Sequence, residues 1–246
     1  MTSSQTAQYL GKLITFEGID GAGKTTHLNW LQQEIGKYLE DKFKNKQPHQ
    51  NKFQALESHI ISTKHPNNND SAQAILTREP GGTLVGEALR QIILHQSVTK
   101  ETQTLIMFAA RQEHLNQIIV PALSRGDWVI CDRFTDATFA YQGGGAGVPM
   151  SMLQTLEALV HANIQPDLTI LFDLPPADAL IRRQKRQADY FESQSNEYFE
   201  RVRKVYLERA AMFLNRYVVI DASQTIENVQ AQMQKTLADF LEKCEN

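Results

Sequence analysis

The stretch Phe16–Thr26 reads FEGIDGAGKTT and holds three glycines within six positions, followed by a lysine and two threonines. From Gly18 to Thr25 it matches the pattern G-x-x-x-x-G-K-[ST] at every fixed position. The apolar residues before it and the periodic apolar residues after it predict a strand, a tight loop and a helix. Glycines leave the backbone N–H groups of such a loop open to an anionic ligand. We therefore expect the loop to hold the phosphates of a nucleoside triphosphate.

The residue types in this loop indicate how it binds. The N terminus of the following helix adds partial positive charge. Lys24 is expected to reach the β- and γ-phosphates of ATP, and the Thr25 hydroxyl is expected to bind Mg²⁺. A dinucleotide site is disfavoured because Thr26 stands where a GxGxxG loop needs its last glycine. The expected nucleotide contacts are Gly18, Ile19, Asp20, Gly21, Ala22, Gly23, Lys24, Thr25 and Thr26.

The composition of the 246-residue chain argues against several classes of protein. A formal net charge of −3 does not favour a nucleic-acid-coating protein. Cys131 and Cys244 stand far apart and lack histidines at ligand spacing, so neither a disulfide framework nor a zinc site is expected. The sequence contains no apolar run of membrane-spanning length, and its start does not resemble a secretory signal. We expect a cytoplasmic protein that binds neither nucleic acid nor membrane, with Cys131 in its core.

Short apolar runs alternate with segments of helical period along the chain. The runs are mostly continuous, as in strands that are covered on both faces. The expected strands are Lys12–Glu17, Ala74–Thr77, Trp128–Cys131, Leu168–Phe172 and Tyr217–Ile220. The expected helical stripes are Leu28, Leu31, Ile35 and Leu39, then Tyr198, Val202, Tyr206 and Phe213, and last Ile226, Val229, Met233, Leu237 and Phe240. This alternation predicts an α/β fold with a parallel sheet and helices on both faces.

Two charged stretches follow the ends of predicted strands. The segment TREPGGT (Thr77–Thr83) contains Arg78, whose guanidinium can grip a phosphate at two points. Asp132 and Arg133 close the run WVICDR. Open α/β sheets bind ligands in the crevice beyond the carboxyl ends of their strands, so we expect both arginines there. The structural alternatives are a strand-to-helix turn for the first stretch and an ion pair for the second.

Two polar segments interrupt this pattern. RRQKRQADYFE (Arg182–Glu192) has four positive charges in five residues and then a D-x-x-E pair. Such runs are usually solvated helix faces, but beside a nucleotide loop this one predicts a mobile basic lid over about residues 182–195. Residues 41–70 are polar and irregular, and we interpret them as a surface insertion. With these two features, residues 1–246 are expected to form a single domain.

The segments FEGIDGAGKTT, TREPGGT, FAAR, DRF, AYQGGG and PDLTILFD, together with the basic segment, resemble the thymidylate kinases of the bacterial type. The resemblance covers nearly the whole chain, in order, outside residues 41–70. It implies a P-loop fold of three layers, with a five-stranded parallel sheet between helices. It also implies a homodimer that transfers a phosphoryl group from ATP to dTMP with Mg²⁺, giving dTDP for dTTP synthesis.

The resemblance implies roles for particular residues. Arg78 and Arg133 would hold the dTMP phosphate, and Asp20 would lie near Mg²⁺ and the acceptor sugar. Arg111 would bind the thymine, and Arg182 would approach the adenine. Asp189 and Glu192 match the D-x-x-E of the family's lid, which makes Glu192 an expected Mg²⁺ ligand beside Thr25 and Asp20. The other implied nucleoside contacts are Pro80, Thr138, Tyr141 and Gln142.

This sequence departs from the family at Met107, at Tyr190 within the lid's D-x-x-E, where an arginine is common, and at Ala137, where a serine is frequent. Met107 stands where the family has a phenylalanine that stacks on the base, and Phe108 follows it, so either side chain can pack on the thymine. Some relatives carry an arginine inside the glycine loop, where this chain has Gly21. We therefore expect the lid to supply the arginine that stabilises the transition state, from Arg182, Arg183 or Arg186.

Two other functions share part of this pattern. A kinase for another nucleoside monophosphate, or for a deoxynucleoside, would use the same loop and lid, although TREPGGT with AYQG favours dTMP. A GTP-driven switch would need an N-K-x-D motif for its base. The segments Asn45–Pro48 and Asn51–Gln54 lack the aspartate, and LFDLPP lacks the D-x-x-G of a switch.

Overall fold

The structure, a computed structural model, describes residues 9–44, 72–183 and 194–245. Its five strands are all parallel and lie in the order β2-β3-β1-β4-β5. They are β1 Leu13–Glu17, β2 Ala74–Arg78, β3 Trp128–Asp132, β4 Leu168–Asp173 and β5 Tyr217–Asp221. The predicted five-stranded parallel sheet is therefore confirmed.

Four of the strands extend one residue beyond the predicted carboxyl end, and each added residue is charged. Arg78 pairs with Asp132 in register, and Asp173 pairs with Asp221. The apolar pattern ends before the hydrogen-bonded ladder does, because these side chains leave the core at the edge of the sheet while the backbone continues its pairing. The carboxyl edge of the sheet is consequently lined by charge.

Helices connect the strands along the described ranges. They are α1 Lys24–Lys44, α2 Leu84–His95, α3 Lys100–His114, α4 Val120–Arg125, α5 Thr135–Thr138, α6 Met150–His161, α7 Pro176–Arg183, α8 Asn196–Met212 and α9 Ile226–Glu245. Two π-helical segments, Leu115–Ile119 and Phe139–Gly145, continue α3 and α5. None of these helices has a stretch long and apolar enough to cross a membrane.

Apolar side chains of β1 and β3 divide between two buried clusters. One cluster contains Ile14, Phe16 and Ile130, and the other contains Leu13, Val129 and Cys131. Successive side chains of a strand point to opposite faces, so the clusters lie on the two sides of the sheet. This arrangement confirms the three layers, and it places Cys131 in the core as expected.

The predicted helical stripes agree with the buried faces of three helices, with two differences. The α1 stripe is buried throughout, whereas Ile226, the first residue of α9, is 65% exposed. Phe213 follows the end of α8 and is only partly buried. Helix α1 continues through Lys44, so residues 41–44 are helical rather than part of an irregular insertion. Residues 45–70 of that predicted insertion, and residues 184–193 of the predicted lid, lie outside the described residues.

Candidate active site

The predicted strand–loop–helix is present between β1 and α1. Gly18 has φ 130° and Gly23 has φ 88°, which side chains rarely adopt, and a Cβ on Gly18 would lie 2.5 Å from the Phe172 carbonyl oxygen. Lys24 is buried at the first position of α1, and its Nζ donates to the carbonyls of Gly18 (3.1 Å) and Ile19 (3.2 Å). The loop therefore curls around its own lysine at the carboxyl end of β1.

The surroundings of Lys24 shift its pKa. Desolvation is the main reason that the pKa of Lys24 falls below its ordinary value, and the nearby Arg133 lowers it further. Asp132 and Asp20 act in the opposite direction. An anionic phosphate beside the ammonium would oppose both lowering effects, so this surrounding favours an anion as the ligand of the loop. Thr25 and Thr26 follow in the first turn of α1 and are exposed.

Arg133, directly after β3, links the loop to the rest of the cleft. Its φ of 71° lies in the left-handed region, which is uncommon for a residue with a side chain. Its guanidinium donates to the Gly18 carbonyl (3.0 Å), to Asp20 Oδ1 (2.7 Å) and to the hydroxyls of Tyr141 (3.1 Å) and Tyr206 (3.2 Å). The loop and the carboxyl end of β3 are thus joined through one side chain.

Asp20 completes this junction. Its Oδ2 accepts a hydrogen bond from the Tyr141 hydroxyl (2.9 Å), so both carboxylate oxygens have partners. Burial alone would raise the pKa of Asp20, but the charges of Arg133 and Lys24 outweigh burial and hold this pKa well below its ordinary value. The carboxylate is therefore ionised at neutral pH. Its engagement by Arg133 and Tyr141 gives no support to its expected role as a Mg²⁺ ligand.

A pocket opens beside Asp20 and Arg133. Its apolar walls are formed mainly by α2 and α3, and its polar groups come from the loop, from the segment after β2 and from the π-helical segment after α5. The lining residues are Asp20, Glu79, Pro80, Arg90, Ile93, Leu94, Met107, Arg133, Ala137, Tyr141 and Gln142.

A chain of hydrogen bonds holds Glu79, one of the lining residues of the pocket. Thr77 Oγ1 contacts His114 Nε2 (2.7 Å), and His114 Nδ1 contacts Glu79 Oε1 (2.9 Å). Arg111 Nε donates to Glu79 Oε2 (2.7 Å), and Arg111 Nη2 donates to Thr138 Oγ1 (2.9 Å). Burial would raise the pKa of Glu79, but Arg111 above all holds it below its ordinary value. The Glu79 carboxylate therefore fixes Arg111 behind the pocket wall.

Two buried polar atoms, one in this network and one on a lining residue, have no hydrogen-bond partner among the described residues. They are the donor Nη1 of Arg111 and the acceptor Oε1 of Gln142. Gln142 Nε2 donates to Gln103 Oε1 (3.2 Å), which leaves Oε1 as the unpartnered atom of this amide. Leaving such groups unpaired costs about 1–3 kcal/mol each. A bound molecule with one acceptor and one donor group would remove this cost.

The structure does not bring Arg78 into this pocket, although the sequence led us to expect it there. Its side chain is 55% exposed, and Nη2 donates to both carboxylate oxygens of Glu87 (3.1 and 3.0 Å). Arg90 of α2 lines the pocket instead and donates to the Pro80 carbonyl (3.1 Å). Sequence reasoning missed Arg90, although it lies at helical spacing from two buried residues of the same helix, Gly86 and Ile93.

The other expected contacts divide between the pocket and its surroundings. Met107 lines the pocket, whereas Phe108 is buried with its ring 4.9 Å from the Arg111 guanidinium. Pro80, Tyr141 and Gln142 also line it, whereas Thr138 does not line it and contacts Arg111. Glu79, Ile93 and Leu94 were not foreseen, and no contiguous motif marks the last two. All three are among the lining residues of the pocket named above.

Most of the expected lid residues lie outside the residues that the structure describes. Arg182 lies in α7, where Nη2 donates to the Ala222 carbonyl after β5 (3.0 Å). The Arg183 side chain, Arg186, Asp189 and Glu192 lie outside the described residues. Asp132, by contrast, is well placed at the carboxyl end of β3, and its buried Oδ1 has no partner among the described side chains and backbone.

The glycine loop after the central strand, with a buried lysine at the start of α1, defines a P-loop nucleotide-binding protein. The pocket beside the loop offers a separate site for a second ligand. A family model described as thymidylate kinase matches residues 58–233. The thymidylate kinases of Burkholderia lata and Paraburkholderia xenovorans are 48% and 47% identical, each over 93% of this chain and 98% of the relative. The crystal structure of thymidylate kinase from Ehrlichia chaffeensis matches with a TM-score of 0.65 at 30% identity, covering 92% of this chain and 98% of that one. The chain belongs to the thymidylate kinase family.

Proposed function

We propose that the protein phosphorylates dTMP to dTDP with ATP, as a step in dTTP synthesis. The observation that carries the proposal is a pair of unpartnered buried atoms. One is Oε1 of Gln142, which lines the pocket together with Arg133, and the other is Nη1 of Arg111, which is bonded to the lining residue Glu79. Thymine offers carbonyl acceptors beside its N3–H donor, which complements this donor and acceptor. In the same orientation, cytosine would place its amino donor against the Arg111 donor and its unprotonated N3 against the Gln142 acceptor.

The apolar side of the pocket supports thymine as the base. Ile93, Leu94 and Met107 line it, and Met107 in this position replaces an aromatic ring as the group that packs on the base. The 5-methyl group of thymine gains free energy when it is removed from water against such residues, by about 0.8 kcal/mol for one buried carbon. We expect dUMP to be accepted less well than dTMP for this reason.

Arg133 and Arg90 are proposed to hold the acceptor phosphate. Both line the pocket, and Arg133 also contacts the carbonyl of Gly18 at the start of the glycine loop. A phosphate bound between them lies next to the position where the loop holds the γ-phosphate. Guanidinium groups suit this task, because their donors match phosphate oxygens two at a time. In this proposal Arg90 takes the role that the sequence suggested for Arg78.

The donor nucleotide is proposed to bind along the loop from Gly18 to Thr26, with Lys24 at its β- and γ-phosphates. Arg182 of α7, which contacts the Ala222 carbonyl after β5, is proposed to border the adenine. The Thr25 hydroxyl and the unpartnered Asp132 Oδ1 suit Mg²⁺, which prefers oxygen ligands. When bound, Mg²⁺ would neutralise charge on the phosphates.

The chemistry required of these residues is electrostatic. The attacking group is a phosphate oxygen that is already ionised near neutral pH, so no strong general base is needed. Two anionic nucleotides must approach in line, and Lys24, Arg133 and Arg90 offset their repulsion. The Asp20 carboxylate orients Arg133 from the loop side. A lid that excludes water would prevent transfer to water, and Arg182, Arg183 and Arg186 stay our candidates for a lid arginine that acts in the transition state.

A homodimer in the cytoplasm stays a prediction from the family resemblance. Exposed apolar residues on the outer faces of α2, α3 and α6 agree with a partner at that side. They are Val85, Ile92, Leu105 and Leu159, exposed by 49%, 39%, 50% and 77%. Light scattering tests this prediction: we expect the mass of two chains, and the mass of one chain would contradict the dimer.

The proposed function is tested by following ADP release and nucleoside diphosphate formation with dTMP, dUMP, dCMP and thymidine as acceptors, each with and without Mg²⁺. We expect dTMP to give the highest kcat/KM, dUMP to follow, and dCMP and thymidine to react at least about 10²-fold more slowly, because one mispairs at the base and the other lacks the phosphate. Equal turnover of dCMP, or turnover of thymidine alone, would contradict the proposal.

A further inference from the structure

Glu17, the last residue of β1, has a fully buried carboxyl group that does not line the acceptor pocket. Burial, together with the nearby Asp136, raises the pKa of Glu17 to about 8. Its Oε1 accepts a hydrogen bond from the backbone N–H of Phe134 (2.7 Å), and its Oε2 accepts one from the Tyr206 hydroxyl (2.9 Å). Phe134 directly follows Arg133, and Gly18 directly follows Glu17. This carboxyl group therefore joins the end of β1 to the segment after β3 and to α8.

Tyr206 of α8 carries the connection to the guanidinium. Its hydroxyl donates to Glu17 and accepts from Arg133 Nη1 (3.2 Å), and its side chain is among the largest fully buried ones. Burial and the neighbouring Glu17 raise the pKa of Tyr206 well above its ordinary value, so the hydroxyl keeps its proton. It can then donate and accept at once, as this arrangement requires.

We propose that Glu17 and Tyr206 are positioning residues that hold Arg133 in the conformation in which it spans the glycine loop and the acceptor pocket. Glu17 holds the backbone N–H of Phe134, the residue after Arg133, and the Tyr206 hydroxyl holds Nη1 of the Arg133 guanidinium. Neither residue lines the acceptor pocket, so both act through Arg133. The inference rests on the proposed function, because Arg133 matters there as the contact of the acceptor phosphate.

The backbone of Arg133 explains why such support is needed. With φ at 71°, the residue occupies a region that costs of order 1–3 kcal/mol and persists only where the surrounding contacts impose it. The Phe134 N–H bond to Glu17 lies one residue beyond this position, where it resists relaxation of the turn. Without the Tyr206 hydroxyl, Nη2 of Arg133 keeps Asp20 and Tyr141, but Nη1 is held toward the glycine loop by the Gly18 carbonyl alone.

The test is a double-mutant cycle between Tyr206→Phe and Arg133→Lys. We expect Tyr206→Phe to lower kcat/KM for dTMP about tenfold, the size of a lost hydrogen bond to a charged group, with KM for ATP within twofold of wild type. In the Arg133→Lys background, the same substitution should change kcat/KM for dTMP by less than twofold. The control is Tyr217→Phe, which removes a buried hydroxyl without a partner among the described residues and should leave turnover unchanged.

Several outcomes separate the inference from the proposed function. Independent, multiplicative losses in the two backgrounds would overturn the inference, as would an unaffected Tyr206→Phe enzyme beside a wild type that converts dTMP. If wild type leaves dTMP unconverted, the proposed function fails, and the position of Arg133 in crystals of Tyr206→Phe decides the inference. We expect the guanidinium to leave the Gly18 carbonyl there, and an unchanged 3.0 Å contact would contradict us. Glu17→Gln, which keeps the shape of the side chain, should show the same loss in kcat/KM for dTMP.

Discussion

The glycine loop and the acceptor pocket lie side by side but are built in opposite ways. The loop uses backbone groups of consecutive residues, Gly18–Thr26, and its shape follows from glycine conformations and the start of α1. The pocket uses side chains from the segment after β2, from α2 and α3, and from the region after β3. Arg133 connects the two. The comparison shows that phosphate binding can be encoded locally, whereas selection of an acceptor depends on how distant elements pack.

Removing the loop's buried ammonium should have the largest effect on turnover. We expect Lys24→Ala to lower kcat by about 10³-fold, because the γ-phosphate loses its charged partner in a site that excludes water. The control is Lys37→Ala on the same helix, whose exposed side chain pairs with Glu34 and should be dispensable. Steady-state rates with saturating ATP and dTMP check both variants. A Lys24→Ala enzyme within tenfold of wild type would mean that the loop does not hold the transferring phosphate.

The free energy of unfolding should depend on pH through His161, a buried histidine of α6. Burial lowers the pKa of His161 to about 4, with a contribution from Arg111, and its ring contacts the Thr135 hydroxyl and the Ile164 carbonyl. Between pH 4 and 6.5 the unfolded chain then binds more protons than the folded one, so the free energy of unfolding falls as pH falls. The loss from this group should reach about 3 kcal/mol near pH 4.

Urea unfolding at several pH values measures this dependence. We expect His161→Asn, which keeps a donor near the Ile164 carbonyl, to unfold with a shallower pH dependence than wild type over this range. His95→Asn is the control, because His95 is exposed on α2 and should leave the slope as it is in wild type. Parallel slopes for wild type and His161→Asn would show that the histidine is not held neutral in the fold.

The two arginines near TREPGGT give a direct contrast within the acceptor side. Arg90→Ala should raise KM for dTMP by about 30-fold, because the phosphate loses a charge-assisted contact, whereas Arg78→Ala should change it by less than threefold. Arg78 already pairs with Glu87 at an exposed position. Initial rates over a range of dTMP concentrations distinguish the variants. The reverse ranking would return the phosphate contact to Arg78, as the sequence first suggested.

The smallest effects are expected from two glycine substitutions, one in α1 and one in the glycine loop, which should change stability in opposite directions. Gly36 lies within α1, where a Cβ would meet nothing within 4 Å, so Gly36→Ala should raise the free energy of unfolding by about 0.5–1 kcal/mol without changing kcat. Gly23 also has open space, but its φ is 88°, so Gly23→Ala should lower stability by about 1 kcal/mol and impair ATP binding. Urea unfolding and ATP titration measure both, and two stabilised variants would contradict the strain assigned to the loop.

The same contrast explains how much could be predicted from the sequence. The five strands and the loop were foreseen to within a residue at each end, because apolar runs and contiguous glycines leave local patterns. Arg78 and Arg90 could not be ranked, since the choice depends on Glu87, which contacts Arg78 from the next helix. Met107 and Phe108 were left open for a related reason. Adjacent residues of a helix differ in direction by about 100°, and only the packing of α3 decides which one faces the pocket.

The central claim is that a nucleotide on the loop and a nucleotide in the pocket meet end to end at Arg133. Its most direct test is calorimetric binding of a bisubstrate analogue in which adenosine and thymidine are joined through five phosphates. We predict that wild type binds it at least about 10²-fold more tightly than dTMP alone, since one linked molecule fills both sites. An analogue bound no more tightly than dTMP or ATP alone would contradict the claim, because the two sites would then not be aligned.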